Sequence, residues 1–77
     1  MTPTTDILKQ IEQVGYFTAE RNEGRSRVIV AEPAVDIDPA KRGSRRFRQM
    51  VRIDGTNEAS RNRAARQLAL MCGINLQ

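Results

Sequence analysis

At 77 residues the chain is shorter than the ~100 to 150 of a typical domain, which leaves room for one core of four or five short elements and none for a second domain. Val, Ile, Leu and Phe supply 17 of the 77, just above the ~20% below which a charged chain stays disordered, so folding is expected with a thin margin. There is no His, no Trp and one Cys, which takes away the usual general base, the usual zinc ligands and any disulfide framework; no metal site and no cofactor are expected.

No window approaches the ~20 apolar residues of a membrane span, and the first ten residues lack the basic and apolar regions of a secretory signal, so a soluble cytoplasmic protein without a membrane partner is expected. A domain of this size buries only roughly 60% of the surface its unfolded chain exposes, which leaves room for a homodimer or a binding partner. Charge is polarised along the chain. Residues 1–40 carry four cations against seven carboxylates, whereas residues 41–77 carry nine against two. Arginine outnumbers lysine eleven to two, and its planar fork binds phosphate or carboxylate through paired hydrogen bonds that an ammonium cannot make.

The first element predicted is a helix over residues 4–14. Thr2 followed by Pro3 suits an N-cap and first turn, with Thr4 or Thr5 as alternative caps, and Asp6 opposes the helix dipole. Ile7, Leu8, Ile11 and Val14 recur on one face, and Gly15 supplies the stop. A β-hairpin follows, with Tyr16 to Glu20 as one strand, Asn22 to Gly24 as the loop and Arg25 to Glu32 as its partner. Phe17 is expected in the core and Tyr16 outside it, where its ring can stack on a base. Pro33 marks a bulge or an edge, Ala34 to Asp38 extends the second strand, and Pro39 to Ser44 forms a turn.

From Arg45 to Asp54 the chain alternates. Phe47, Gln49, Val51 and Ile53 point one way and Arg46, Arg48, Met50, Arg52 and Asp54 the other, predicting a third strand with a basic face. A second helix is predicted over 57–72, capped by Thr56 or Asn57 and ended by Gly73. Its apolar stripe is Ala64, Ala65, Leu68, Met71 and Cys72, and Asn62, Arg63, Arg66, Gln67 and Leu70 lie on the other side. Arg61 falls within the stripe, its stem snorkelling outward. The order helix, three strands, helix predicts a two-layer α+β domain, α-β-β-β-α, with a three-stranded antiparallel sheet and two helices packed on one face.

No catalytic constellation emerges, so a non-enzymatic module is expected. Glu32, Asp36 and Asp38 match no cation-binding loop and read as an acidic strand end that pairs with the basic strand; Cys72 reads as a small hydrophobe. The candidate binding residues are Lys41, Arg42, Arg45, Arg46, Arg48 and Arg52 on and before the third strand, with Arg61, Arg63 and Arg66 on the last helix. Arginines on one solvent-facing sheet surface would neutralise phosphates and release counterions; the same charges also suit an edge strand guarded against edge-to-edge pairing. With few aromatic platforms, a duplex is favoured over unpaired bases. The alternative partner is an acidic or nucleic-acid-handling protein, bound by a small inhibitor or adaptor of the kind phages and mobile elements encode.

The order of elements, together with residues 61–70, RNRAARQLAL, with an Ala-Ala pair among basic neighbours, resembles the double-stranded-RNA-binding domain. That resemblance implies duplex-phosphate contacts from the start of the last helix and minor-groove contacts near Gln10, Gln13 and Asn22 to Arg25. The family's lysine cluster is replaced here by Glu58 and Ala59, leaving Arg61, Arg63 and Arg66 as the available charges.

Overall fold

A computed structural model describes residues 2–34 and 48–76. The elements run α1 (Thr4–Gln13), β1 (Tyr16–Glu23), β2 (Ser26–Pro33), β3 (Gln49–Ile53) and α2 (Glu58–Met71). The strands form one antiparallel sheet in the order β1-β2-β3, so β2 is central and β3 an edge. The expected strand extension over Ala34 to Asp38 falls outside the described residues except for Ala34, as do the turn expected over Pro39 to Ser44 and the start of the third strand at Arg45 to Phe47. Neither described helix is long and apolar enough to cross a membrane.

α1 forms because Ile7 and Ile11 stack one turn apart and are both fully buried, with Leu8 packed beside them. Burying each of these side chains contributes roughly 1.5 to 3 kcal/mol. Its entry differs from the expected threonine cap. Pro3 occupies the N-cap without any side-chain hydrogen bond, because the Thr4 hydroxyl is engaged elsewhere, accepting a hydrogen bond from Asn62 Nδ2 at 3.1 Å. α2 is capped as its sequence suggests, Asn57 Oδ1 accepting from the Ser60 amide at 2.9 Å. Its C-terminus closes with Gly73 at φ +84°, whose amide donates to Leu70 O while the Ile74 amide donates to Ala69 O, a pairing that needs a residue at home in the left-handed region.

The hairpin is longer and tighter than expected. Asn22 and Glu23 continue β1, Glu23 pairs with Ser26, and the turn is Gly24–Arg25. Gly24 takes φ +61°, which suits the first central position of a two-residue turn whose twist matches the strands. Pro33 ends β2 opposite Tyr16, beyond the last β3 pairing at Ala31. The next bond of the ladder is made by the Ala34 amide to Gly15 O at 2.9 Å.

Both helices pack on the sheet face that carries Tyr16, Ile29, Ala31, Val51 and Ile53, and Ala64, Ala65, Leu68 and Ala69 of α2 fill the remainder of the core. The alanines let the helix approach closely. Two expectations about facing are corrected. Tyr16 is buried, 3% exposed, and Phe17 is 64% exposed, because strand side chains alternate and β1 enters the sheet with Tyr16 on the helix side; a shift of one residue inverts the whole strand. On α2, Met71 is exposed and Asn62 buried, since the side of α2 next to α1 needs a polar group there. Asn62 Nδ2 donates to Thr2 O at 2.8 Å as well as to Thr4.

Candidate nucleic-acid interface

The sheet face turned away from the helices carries Phe17, Ala19, Arg21 and Glu23 from β1, and Val28, Val30 and Glu32 from β2. Arg48, Met50 and Arg52 of the β3 segment complete it, as strand alternation and the cross-strand register dictate. Arg48 and Arg52 therefore do share a face with Met50, as the sequence predicts. They are not free there. Arg48 lies 3.6 Å from Glu32 and 4.0 Å from Glu23, Arg52 lies 3.2 Å from Asp54, and Arg21 reaches Glu32 at 2.7 Å. Among the described residues this face balances three arginines against Glu23, Glu32 and Asp54, so it lacks the excess positive charge expected of it. Lys41, Arg42, Arg45, Arg46, Asp36 and Asp38 lie outside the described residues. The pairing expected between the acidic strand end and the basic strand is realised by Glu32 and Arg48.

Arg61 is also committed within the fold. It forks onto Glu20 of β1, Nε donating to Oε1 at 2.7 Å and Nη2 to Oε2 at 3.1 Å, while Nη1 donates to Glu58 at 2.7 Å. The Glu20 hydrogen bond raises the Arg61 pKa further, against a smaller opposing cost of burial. The Glu58 carboxyl is held below its usual range first by its hydrogen bond with the Thr4 hydroxyl and then by Arg61. This cluster ties α2 to β1 and to the start of α1. The snorkelling expected of Arg61 thus ends on carboxylates of its own chain.

Arg63 and Arg66 stand differently. No described carboxylate lies within ion-pair distance of either, and with Ala59 and Asn62 they line a shallow depression along α2. Arg66 Nε donates to Asn62 Oδ1 at 2.8 Å, so the buried asparagine that joins the helices also orients a cation on their surface.

A second group of cations was not legible as a site in the sequence. Arg25, Ser26, Arg27, Arg52, Ile53, Asp54, Gly55 and Thr56 line an open concavity of about 320 Å³ at the end of the sheet, where the hairpin turn meets the chain entering α2. Three arginines share it with a single carboxylate. Arg27 is 3.8 Å from Glu20, a loose contact because Arg61 holds the same carboxylate more closely. Arg25 and Arg27 belong to the half of the sequence with net negative charge, which hides them from any count by segment. The pairing of Arg27 with Ile53 is the feature that brings them beside Arg52.

Among the described residues no group of three or more potential ligands suits a metal ion. Burial raises the Cys72 thiol pKa, partly offset by a hydrogen bond with Tyr16, so it is a poor nucleophile at neutral pH. No protein-family model, no curated protein and no solved structure matches this chain.

Proposed function

We propose that the protein is a small non-enzymatic module that binds the phosphates of a duplex nucleic acid, using the arginine-lined corner at the end of the sheet and the Arg63–Arg66 side of α2. The observation that carries this reading is the corner itself, in which Arg25, Arg27 and Arg52 line one concavity whose lining holds a single carboxylate, Asp54, with Arg27 in loose contact with Glu20 besides. Guanidinium forks gathered at this spacing suit phosphate oxygens, and the open shape suits a backbone more than a small molecule. The corner runs into the chain that enters α2, at Thr56, and the Arg63–Arg66 depression begins at Ala59 in its first turn. Lys41, Arg42, Arg45 and Arg46 would add to the positive charge available to the same partner. Of the balanced sheet face only Arg52, at its end beside the corner, takes part in phosphate binding.

The test is a titration of RNA and DNA duplexes at about 50 and 200 mM salt, where each phosphate contact adds roughly 0.9 to the log–log salt slope. Affinity that falls steeply with salt, and drops at least tenfold in the Arg25→Glu/Arg27→Glu variant with unchanged circular dichroism, supports the proposal. No detectable binding at the lower salt rejects it. If a pull-down from nuclease-treated lysate then recovers one stoichiometric acidic protein, the corner belongs to the alternative, an inhibitor or adaptor for a nucleic-acid-handling partner.

A further inference from the structure

We propose that Asn62 positions Arg66 as the one preset phosphate fork of α2, so that Arg66 fixes where a bound strand lies while Arg63 adds charge alone. This role rests on the phosphate-binding reading above and names the contact within it that depends on geometry.

The two cations look alike in the sequence, three residues apart in RNRAARQ. The fold treats them differently. Arg63 is exposed and makes no hydrogen bond or ion pair among the described residues, so its guanidinium sweeps a wide arc at the end of a long stem. Arg66 is half-buried, and its Nε donates to Asn62 Oδ1 at 2.8 Å. That acceptor cannot turn away. Asn62 is 7% exposed, and its Nδ2 donates to Thr2 O at 2.8 Å and to Thr4 Oγ1 at 3.1 Å, which uses both of its hydrogens. Reversing the amide would set its oxygen against the Thr2 carbonyl, acceptor against acceptor. The start of α1 therefore fixes the asparagine, and the asparagine fixes the arginine.

With Nε engaged, Nη1 and Nη2 of Arg66 are left to donate side by side, an arrangement that matches the two unesterified oxygens of a backbone phosphate. No described carboxylate competes for them. A fork already held in place loses little side-chain freedom on binding, whereas Arg63 has all of its freedom to lose. A lysine at position 66 would keep the charge, but one ammonium cannot hold Asn62 and also offer a planar pair of donors.

The test is a titration of whichever of an RNA and a DNA duplex the unaltered chain binds more tightly, at several salt concentrations, with stability followed by urea melts. Arg66→Lys should weaken binding at least tenfold with the log–log salt slope unchanged, since the number of cations is the same, and Arg63→Lys should change it by less than about threefold. Asn62→Ala should weaken binding by the same factor as Arg66→Lys, and adding it to Arg66→Lys should cost no further affinity although it lowers stability in both backgrounds. An asparagine with a purely structural role would affect binding in both backgrounds or in neither. Equal effects of the two lysine variants, a folded Asn62→Ala variant that binds in full, or an Asn62→Ala loss that persists beside Arg66→Lys would overturn the inference while duplex binding stands. No binding by the unaltered chain would overturn it together with the phosphate-binding reading.

Discussion

The two faces of the sheet are closed by different means. On the helix side Ile29 and Ala31 of β2 are covered by alkyl side chains from α1 and α2. On the other side Val28 and Val30 of the same strand are just as buried, 4% and 0% exposed, with neither described helix above them. The described side chains next to them on this face include the charged Arg21, Glu32 and Arg52. Arg21 sits opposite Val28 and Glu32 opposite Phe17, so the 2.7 Å contact between them spans two rows and takes the arginine stem past Val30. An arginine stem held by ion pairs can shield an apolar floor while its head stays in water. The comparison teaches that burial of a residue says nothing about what covers it.

Adjacent residues of β1 give the sharpest contrast. Tyr16→Ala should cost about 3 to 5 kcal/mol by opening a cavity under both helices, a large share of the roughly 5 to 15 kcal/mol that holds a folded domain together. Phe17→Ala should stay within about 0.5 kcal/mol. Urea melts of the two variants measure both, and a larger loss from Phe17→Ala would mean that the strand faces the other way. Within β2, Ile29→Ala should cost about 2 to 5 kcal/mol, and Val30→Ala less, because it deletes fewer buried carbons.

Arg61→Ala should lower stability by about 1 to 2 kcal/mol, since it removes charge-assisted hydrogen bonds joining α2 to β1, whereas Arg48→Ala on the sheet face away from the helices should change stability by less than about 0.5 kcal/mol. A double-mutant cycle with Glu20→Gln should show coupling for Arg61. The smallest effect concerns pH. The Glu58 carboxyl has its folded pKa depressed below the ordinary 4.5. Its contribution is therefore present in full above the unfolded value and lost as pH falls through the folded one. Glu58→Gln should lower stability slightly across the neutral region and leave it nearly unchanged below the folded value, which flattens the acid limb of the profile.

The α-β-β-β-α order, the strand alternation around Val51 and Ile53, and the second helix with its Asn57 cap were legible because each rests on local chemistry: periodicity, a capping side chain, or a glycine at a stop. Phe17 and Tyr16 were assigned to the wrong sides, since two aromatic residues in succession satisfy either register and only docking against the helices chooses between them. Of the candidate arginines, the sequence placed Arg48 and Arg52 on a common face correctly. It anticipated Glu32 as a partner of the basic strand, and it missed Asp54, two residues from Arg52, and Glu23, which comes from the hairpin, far away in the chain. The same reason hid Arg25 and Arg27 from the candidate site.

Composition and periodicity alone settled what elements this chain forms and in what order, because helix and strand preferences act over a few residues. Which cations remain available to a partner was decided only by the tertiary structure. Ion pairing depends on distances of a few ångströms between groups up to 41 residues apart, as for Glu20 and Arg61, and folding alone brings such groups together.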